Sequence, residues 1–320
     1  MRMGNLTDTD TSVLDEAARA GWLYYVGGMT QDQIAQELGV SRQRAQRLVS
    51  RALAEGLVHV RLEHRIGDCI ELEGELRRRF GLEHVRVAPG IGDGGDPTRS
   101  IAPVAAAYFE RYLASPDPIT IAVGTGRALR RTVEEITPQT CPQHKIVSLI
   151  GNIAPDATAS NYDVIMRLAE KIGAPHYPMP LPVIVPTPAM RAMFYELHQM
   201  QIVEQLAQQA DVTFVGVGQM NERAPLFVDG FMSKQELEAQ RAQGAVGEIA
   251  SWVFDSDGQY LDSDHNRRIG GLRAGLSDRG PVIGIAAGPE KVAAIQGALK
   301  GGLLNGLITS DITARKLIHM

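Results

Sequence analysis

From residue 84 onward the sequence alternates short apolar segments with segments of helical periodicity, and this alternation restricts the possible folds strongly. Seven apolar segments are predicted strands: 84–88, 119–123, 146–150, 212–217, 252–255, 281–287 and 307–310. Six predicted helices fall between most of them: 98–113, 127–136, 160–173, 198–209, 233–243 and 289–300. The apolar segments show little polar alternation, which indicates strands that are buried on both faces. The sequence therefore predicts a doubly wound α/β domain with a largely parallel sheet.

The first 65 residues follow a different pattern, that of three short helices. Residues 11–26 carry apolar side chains at helical spacing and end at a Gly-Gly pair. A capping-box pattern at 30–33 begins a second helix that stops at Gly39, and Ser41 is a good N-cap for a third. Residues 57–64 alternate apolar and polar side chains, which predicts a strand or a wing.

The residues 31–50 have the spacing of a helix-turn-helix. Small or apolar residues occupy the positions that join the two helices: Ile34, Ala35, Leu38, Gly39, Val40, Ala45 and Leu48. Ala35 has to be small because the helices cross there, and Gly39 supplies the positive φ of the turn. A plain helical hairpin that only packs is the alternative. The number of matching positions favours an all-α DNA-binding domain.

The third helix would enter the major groove with the residues of its first turns. Four outward side chains are predicted to read bases: Arg42, Gln43, Gln46 and Arg47. Four others are predicted to contact phosphates: Ser41, Arg44, Ser50 and Arg51. The window 41–65 holds six arginines and two glutamates, a charge of +4 in a chain of net charge −5. A solvated arginine-rich helix face is the alternative to a DNA-binding surface.

The 320-residue length accommodates two domains, predicted at 1–63 and 64–320, with a short linker at 91–98. No apolar run is long enough for a membrane span, and the N-terminus lacks the features of a signal peptide, so we expect a cytoplasmic protein without membrane partners. Cys69 and Cys141 lie far apart, and we expect both to be reduced thiols. The sequence indicates no metal site and no cofactor.

Seven segments occur in an order typical of one protein family. They are YYVGGMTQDQIAQELGVSRQRAQRLV (24–49), IAVGTGRAL (121–129), IVSLIGNIA (146–154), RLAEKIGAPHYPMPLPV (167–183), GAVGEI (244–249), VIGIAAGPEKVAAIQGAL (282–299) and LITSDITARKL (307–317). Through them the chain resembles the SorC family of bacterial sugar-responsive transcriptional regulators over nearly its whole length. The resemblance implies an effector domain similar in fold to sugar-phosphate isomerases. It also implies an oligomer, often a tetramer, that binds operator DNA and changes its DNA affinity when a small carbohydrate binds.

A ligand loop is predicted at Gly124-Thr125-Gly126, which follows a strand and opens a helix beginning with Arg127. Backbone N–H groups and the positive end of a helix would face a ligand there. The spacing fits neither a dinucleotide fingerprint nor a Walker A loop, and a simple strand-to-helix turn is the alternative. Further candidates lie at or just after the ends of other strands or open a helix, and the resemblance places them in the effector pocket: Asn152, Gly216, Gly218, Asp255 and Lys291.

Two positions bear on the class of effector. Relatives that recognise phosphorylated sugars can carry a basic residue where this chain has Ile150, and a hydroxyl residue is common where it has Ala128. These differences favour a free sugar or a sugar alcohol. Arg127, Arg130 and Lys291 leave a sugar phosphate possible.

Two other classes of function remain as alternatives. The first is an isomerase-like enzyme with a fused DNA-binding head, which would need a carboxylate or a histidine base beside its substrate. The histidines show no partner spacing typical of a catalytic site, and we expect no catalysis. The second is an oligomerisation protein without a ligand. The sequence favours a regulator, expected to be a repressor, of a carbohydrate or polyol catabolic operon.

Overall fold

In a computed structural model of the chain, two units follow each other, Met1–His64 and Arg65–Met320. The structure describes residues 8–59, 67–92, 95–153, 164–275 and 279–319. No helix in these ranges is both long enough and apolar enough to cross a membrane.

The first unit consists of three helices, α1 (Asp8–Tyr25), α2 (Gln31–Leu38) and α3 (Arg42–Ala54). The predicted capping box forms at the start of α2, and Gly39 ends this helix with a φ of 65°. The Ser41 hydroxyl accepts the Arg44 N–H at the start of α3. The predicted small and apolar stripes of α2 and α3 are buried against α1, so the three-helix head is confirmed. Residues 57–59 of the predicted wing lie in no strand, and 60–64 are outside the described residues.

The second unit contains ten strands and eleven further helices within its described residues. The strands are β1 (His84–Ala88), β2 (Thr120–Val123), β3 (Lys145–Ile153), β4 (His176–Pro182), β5 (Val212–Gly216), β6 (Gly218–Gln219), β7 (Ala245–Ile249), β8 (Trp252–Asp255), β9 (Val282–Ile285) and β10 (Gly306–Ser310). The helices are α4 (Gly67–Phe80), α5 (Thr98–Leu113), α6 (Arg127–Glu135), α7 (Val164–Ile172), α8 (Pro188–Tyr195), α9 (His198–Gln208), α10 (Pro225–Val228), α11 (Lys234–Ala242), α12 (Asp264–Arg267), α13 (Val292–Lys300) and α14 (Asp311–His319). A single 3-10 turn, Pro289–Lys291, precedes α13.

The main sheet is parallel throughout and has the order β1-β10-β9-β5-β2-β3-β4. Successive side chains of one strand enter two different cores: Phe214 packs with α5, α6 and α7, whereas Val215 packs with α4, α9, α13 and α14. Helices therefore cover both faces, which confirms the doubly wound α/β fold. The strand order changes direction between β2 and β5, and ligands of such folds bind at that crevice.

Three strands are absent from the sequence predictions. β4 contains Pro178, Pro180 and Pro182, and it lies at the end of the main sheet, where proline is tolerated. β6 and β7 form a small antiparallel sheet with β8. The predicted strand 252–255 therefore belongs to this second sheet and not to the parallel one.

Candidate functional site

A cavity of about 580 Å³ lies at the carboxyl ends of the parallel strands, around the β2–β5 crevice. Six of the nine predicted ligand residues line it: Thr125, Gly126, Arg127, Gly216, Gly218 and Lys291. Ile150 and Ala128 line it as well. The topology thus brings together residues that lie more than 160 positions apart in the sequence.

Gly126 gives the turn after β2 its conformation. Its φ of 119° and ψ of 165° lie in a region that is essentially restricted to glycine, and it stands immediately before α6. A Cβ there would meet no atom within 4 Å, so the position is open and the restriction is conformational. Gly288, at the turn after β9, has nearly the same conformation, with a φ of 128° and a ψ of 149°. Two glycine turns of one kind therefore face the same cavity.

The loops after β2 and β5 approach each other closely. A Cβ on Gly216 would lie 2.8 Å from the Thr125 carbonyl oxygen, so this close approach requires glycine. The Gly124 N–H donates to the Phe214 carbonyl at 2.8 Å. Gly124 is therefore held against β5 and supports the turn from behind, which explains why it is not among the residues that line the cavity.

Lys291 contributes the most deeply placed ammonium group of the cavity wall. Its Nζ donates to the Val217 carbonyl oxygen, on the segment that follows β5. Burial lowers the pKa of Lys291 to about 8, and the neighbouring Glu248 carboxylate opposes that change. The lysine is therefore near the point at which it gives up its proton under mildly basic conditions.

Glu248 is a cavity residue that the sequence analysis did not identify. It lies on β7 opposite Gly218 of β6, and its Oε2 accepts the Ser251 N–H at 2.8 Å. A Cβ on Gly218 would lie only 2.0 Å from Glu248 Oε1, so the carboxylate occupies the space that this glycine leaves. Burial raises the pKa of Glu248. Glu248 belongs to the segment GAVGEI, but the two-residue β6 has no sequence pattern that would place this carboxylate in the cavity.

A tight turn between β7 and β8 holds the Glu248 carboxylate in place. Ala250 and Ser251 both have positive φ values, 50° and 68°, and neither is glycine. This conformation is uncommon for residues with a side chain. It directs the Ser251 N–H toward the carboxylate, and both turn residues line the cavity.

The segment 91–98, predicted to be a linker, is part of the site. All of its described residues line the cavity: Ile91, Gly92, Gly95, Asp96, Pro97 and Thr98. Asp96 Oδ1 accepts the Thr98 N–H at 3.0 Å, and Asp96 Oδ2 lies 3.2 Å from Arg131 Nη1 on α6. The linker prediction is therefore wrong. Glycines and a proline are as typical of a cavity wall built from irregular backbone as of a linker.

Two predicted ligand residues have other positions. Asp255 Oδ1 accepts the N–H groups of Asp257 and Gln259, both at 2.9 Å, and so closes the turn after β8. Asp255 is not among the cavity residues that the structure describes. Asn152 lies within β3, and its side chain is outside the described part of the structure.

No histidine in the described ranges lines the cavity. His265, the histidine beside the β7–β8 turn, is buried, and its Nε2 lies 3.2 Å from the Ser251 carbonyl oxygen. Burial lowers the pKa of His265 to about 4, so this ring is neutral at physiological pH.

The eight predicted DNA-binding residues are all exposed, at the start of α3 and along its outer side. Ala45, Leu48 and Val49 of the same helix are buried against α1 and α2. The helix therefore has one packed side and one free polar side, as a recognition helix needs. The Ser41 hydroxyl is engaged as the helix cap, whereas the Arg47 side chain shows no ion pair among the described residues.

Comparison with known proteins identifies both units. Residues 64–319 match a family of sugar-binding domains (Sugar-bind), and residues 6–65 match the MarR family. The erythritol catabolism regulatory protein EryD of Brucella abortus (strain 2308) is 34% identical over 313 residues, covering 98% of each chain. The transcriptional regulator LsrR of Escherichia coli (strain K12) is 29% identical over 310 residues, covering 95% of each. The full-length sorbitol operon regulator SorC of Klebsiella pneumoniae has a TM-score of 0.75 at 26% identity, covering 98% of this chain and 100% of that one.

Proposed function

The chain belongs to the SorC family of sugar-binding transcriptional regulators, and from this membership we propose that it controls a carbohydrate or polyol catabolic operon in response to an effector that binds in the cavity. In this proposal residues 1–63 bind operator DNA, and residues 64–320 bind the effector and form the oligomer. The protein acts in the cytoplasm as a repressor whose operator affinity falls when the effector binds.

The observation that carries the proposal is a cavity built from glycine turns at the switch point of the sheet, in a chain that also bears an exposed recognition helix. No side-chain cap occupies the start of α6, and Gly126, Arg127 and Ala128 line the cavity, so we propose that the first N–H groups of α6 bind the effector. Lys291 adds a donor and Glu248 adds an acceptor. Donors and acceptors together in one cavity suit a compound with several hydroxyl groups.

We propose a free sugar or sugar alcohol rather than a phosphate ester. A phosphate group beside the Glu248 carboxylate would be repelled, whereas a hydroxyl can donate to Glu248 Oε1. Ile150, where a phosphate-binding relative can place a cation, lines the cavity as an apolar surface. EryD is named for erythritol catabolism, which supports a small polyol as the first compound to test.

The DNA contacts are proposed for the exposed side of α3. Arg42, Gln43, Gln46 and Arg47 read bases, and Ser41, Arg44, Ser50 and Arg51 hold phosphates. Two heads of a symmetric oligomer, by proposal a tetramer, bind half-sites about 34–36 Å apart or a multiple of this. A 100-fold loss of operator affinity on effector binding requires about 2.7 kcal/mol of coupling between the two sites.

A thermal-shift screen of the full chain with sugars, polyols and their phosphates tests the ligand class. We expect a polyol or a free sugar to raise the melting temperature and to release a labelled duplex taken from the promoter of the chain's own operon. A shift produced by phosphate esters alone would refute the free-polyol proposal. A duplex that is not bound at any salt concentration would refute the regulator proposal.

The enzyme alternative makes a different prediction for the same compounds. An isomerase would convert a sugar phosphate with a carboxylate as its base, because no histidine in the described ranges lines the cavity. Glu248 is the first carboxylate to test, because it lies in the space that Gly218 leaves. We propose that the cavity binds without catalysis. Turnover of a sugar phosphate that disappears in Glu248→Gln would overturn this.

A further inference from the structure

The recognition helix α3 carries four arginines, and three of them pair with carboxylates of the same unit. The pairs are Arg42 Nε with Asp32 Oδ1 at 3.4 Å, Arg44 Nη2 with Glu16 Oε2 at 2.8 Å, and Arg51 Nε with Glu55 Oε1 at 3.4 Å. Arg47 is the α3 arginine for which the described residues provide no ion pair. The basic surface of the free protein is thus largely neutralised from within.

The three carboxylates come from three different places around α3. Glu16 lies on α1, Asp32 in the first turn of α2, and Glu55 immediately after α3. The paired side chains are between 40% and 69% exposed, so water screens each pair and its contribution to folding is small. Exposed pairs of this kind can exchange the carboxylate for a DNA phosphate when DNA approaches.

We propose that Glu16, Asp32 and Glu55 are internal counter-ions that weaken the binding of this head to DNA irrespective of sequence. The proposal rests on the DNA-binding function proposed above. Sequence-independent binding comes from arginine–phosphate contacts, each of which releases about 0.9 cations from B-DNA. When an arginine exchanges its carboxylate for a phosphate, the freed carboxylate attracts a cation from solution. The net number of cations released on binding is then smaller, and binding is weaker. Arg42, a proposed base reader, carries the same penalty because it has to leave Asp32 before it can contact DNA. Arg47 has no such partner among the described residues and carries none.

A substitution at Asp32 distinguishes the counter-ion role from a role in folding. A carboxylate in the first turn of a helix stabilises that helix through the macrodipole. Asp32→Asn should therefore lower the melting temperature slightly while it tightens DNA binding. A purely structural role predicts weaker binding together with the lower melting temperature.

The test uses the full chain and a 20-base-pair duplex of random sequence, with binding followed by fluorescence anisotropy across a series of KCl concentrations. The variants are Glu16→Gln, Asp32→Asn, Glu55→Gln and the triple variant. We expect each single variant to bind about threefold more tightly at about 0.1 M salt, and the triple variant about 30-fold. The slope of log K against log salt should steepen by up to about 0.9 for each carboxylate removed.

The matched control is Glu37→Gln, which makes the same change of net charge. Glu37 is exposed on α2, and none of the described ion pairs of α3 involves it. If this control tightens binding as much as Glu16→Gln does, net charge alone is responsible and the proposal fails. The proposal also fails if the parent protein binds the duplex but the triple variant has the same affinity and salt slope. A parent protein that binds no duplex at low salt overturns the DNA-binding function itself.

Discussion

The contact between Gly218 and Glu248 allows a sharp test of how the cavity is built. An alanine Cβ at position 218 would lie 2.0 Å from Glu248 Oε1 and 2.8 Å from its Cδ, so the carboxylate has to move. The movement breaks the 2.8 Å hydrogen bond from the Ser251 N–H. A hydrogen bond to a charged group contributes about 1.5–3 kcal/mol. Because the open cavity can receive the displaced side chain, we expect Gly218→Ala to lower the free energy of unfolding by about 2 kcal/mol.

The same substitution in a Glu248→Ala background meets no carboxylate, and there it should change the free energy of unfolding by less than about 0.5 kcal/mol. The four proteins of this double-mutant cycle are compared by urea denaturation followed by circular dichroism, and the coupling should be about 1.5–2 kcal/mol. Gly74→Ala within helix α4 is a control, because its Cβ would meet nothing closer than 3.7 Å and alanine favours a helix. An equal loss in both backgrounds would show that Glu248 does not lie over Gly218.

Four further predictions address the two sites. Arg47→Ala should weaken operator binding by about tenfold or more without changing the melting temperature, because a base contact is worth about 1–3 kcal/mol; unchanged affinity in a gel-shift titration would contradict this. Gly126→Ala should cost about 1–3 kcal/mol of stability and abolish the effector response while operator binding persists, as measured by calorimetry and anisotropy. Lys291, with a pKa of about 8, should lose its positive charge as the pH rises from about 7 to 9. A phosphorylated effector should then bind more weakly, whereas the affinity for a polyol should change less, and titration calorimetry distinguishes the two. Burial lowers the pKa of His265 to about 4, so between about pH 6.5 and 4 the unfolded chain binds a proton that the folded chain does not. The free energy of unfolding therefore decreases as the pH is lowered through this range. Urea denaturation of His265→Gln should show about 3 kcal/mol less of this decrease.

The parallel core and the helical head could be predicted because their signals are local. The buried strands of the main sheet are continuous apolar runs, and the helix predicted at 98–113 has those bounds in the structure. The head follows from caps, a left-handed glycine and a buried stripe, each of which spans only a few residues. The proline-rich β4 and the two-residue β6 contain no apolar run of this kind, so the sequence offers no basis for predicting them as strands.

The candidate site was predictable only in part, for a related reason. Gly126 and Gly218 follow predicted strands and Gly216 lies at the end of one, so the topology of parallel sheets brings all three to one edge. Glu248 reaches the cavity through pairing of β7 with β6, which depends on tertiary structure. Asp255 is the last residue of another predicted strand, but that strand belongs to the antiparallel sheet, and the Asp255 carboxylate closes a turn instead.

The prolines of β4 have a consequence for how this protein behaves at high local concentration. Three of the seven residues of β4, Pro178, Pro180 and Pro182, have no backbone N–H group. An incoming strand therefore finds few donors along this end of the sheet. Proline in an edge strand in this way opposes the addition of further strands, and so opposes fibrous aggregation, which is a useful property for a chain expected to work as an oligomer.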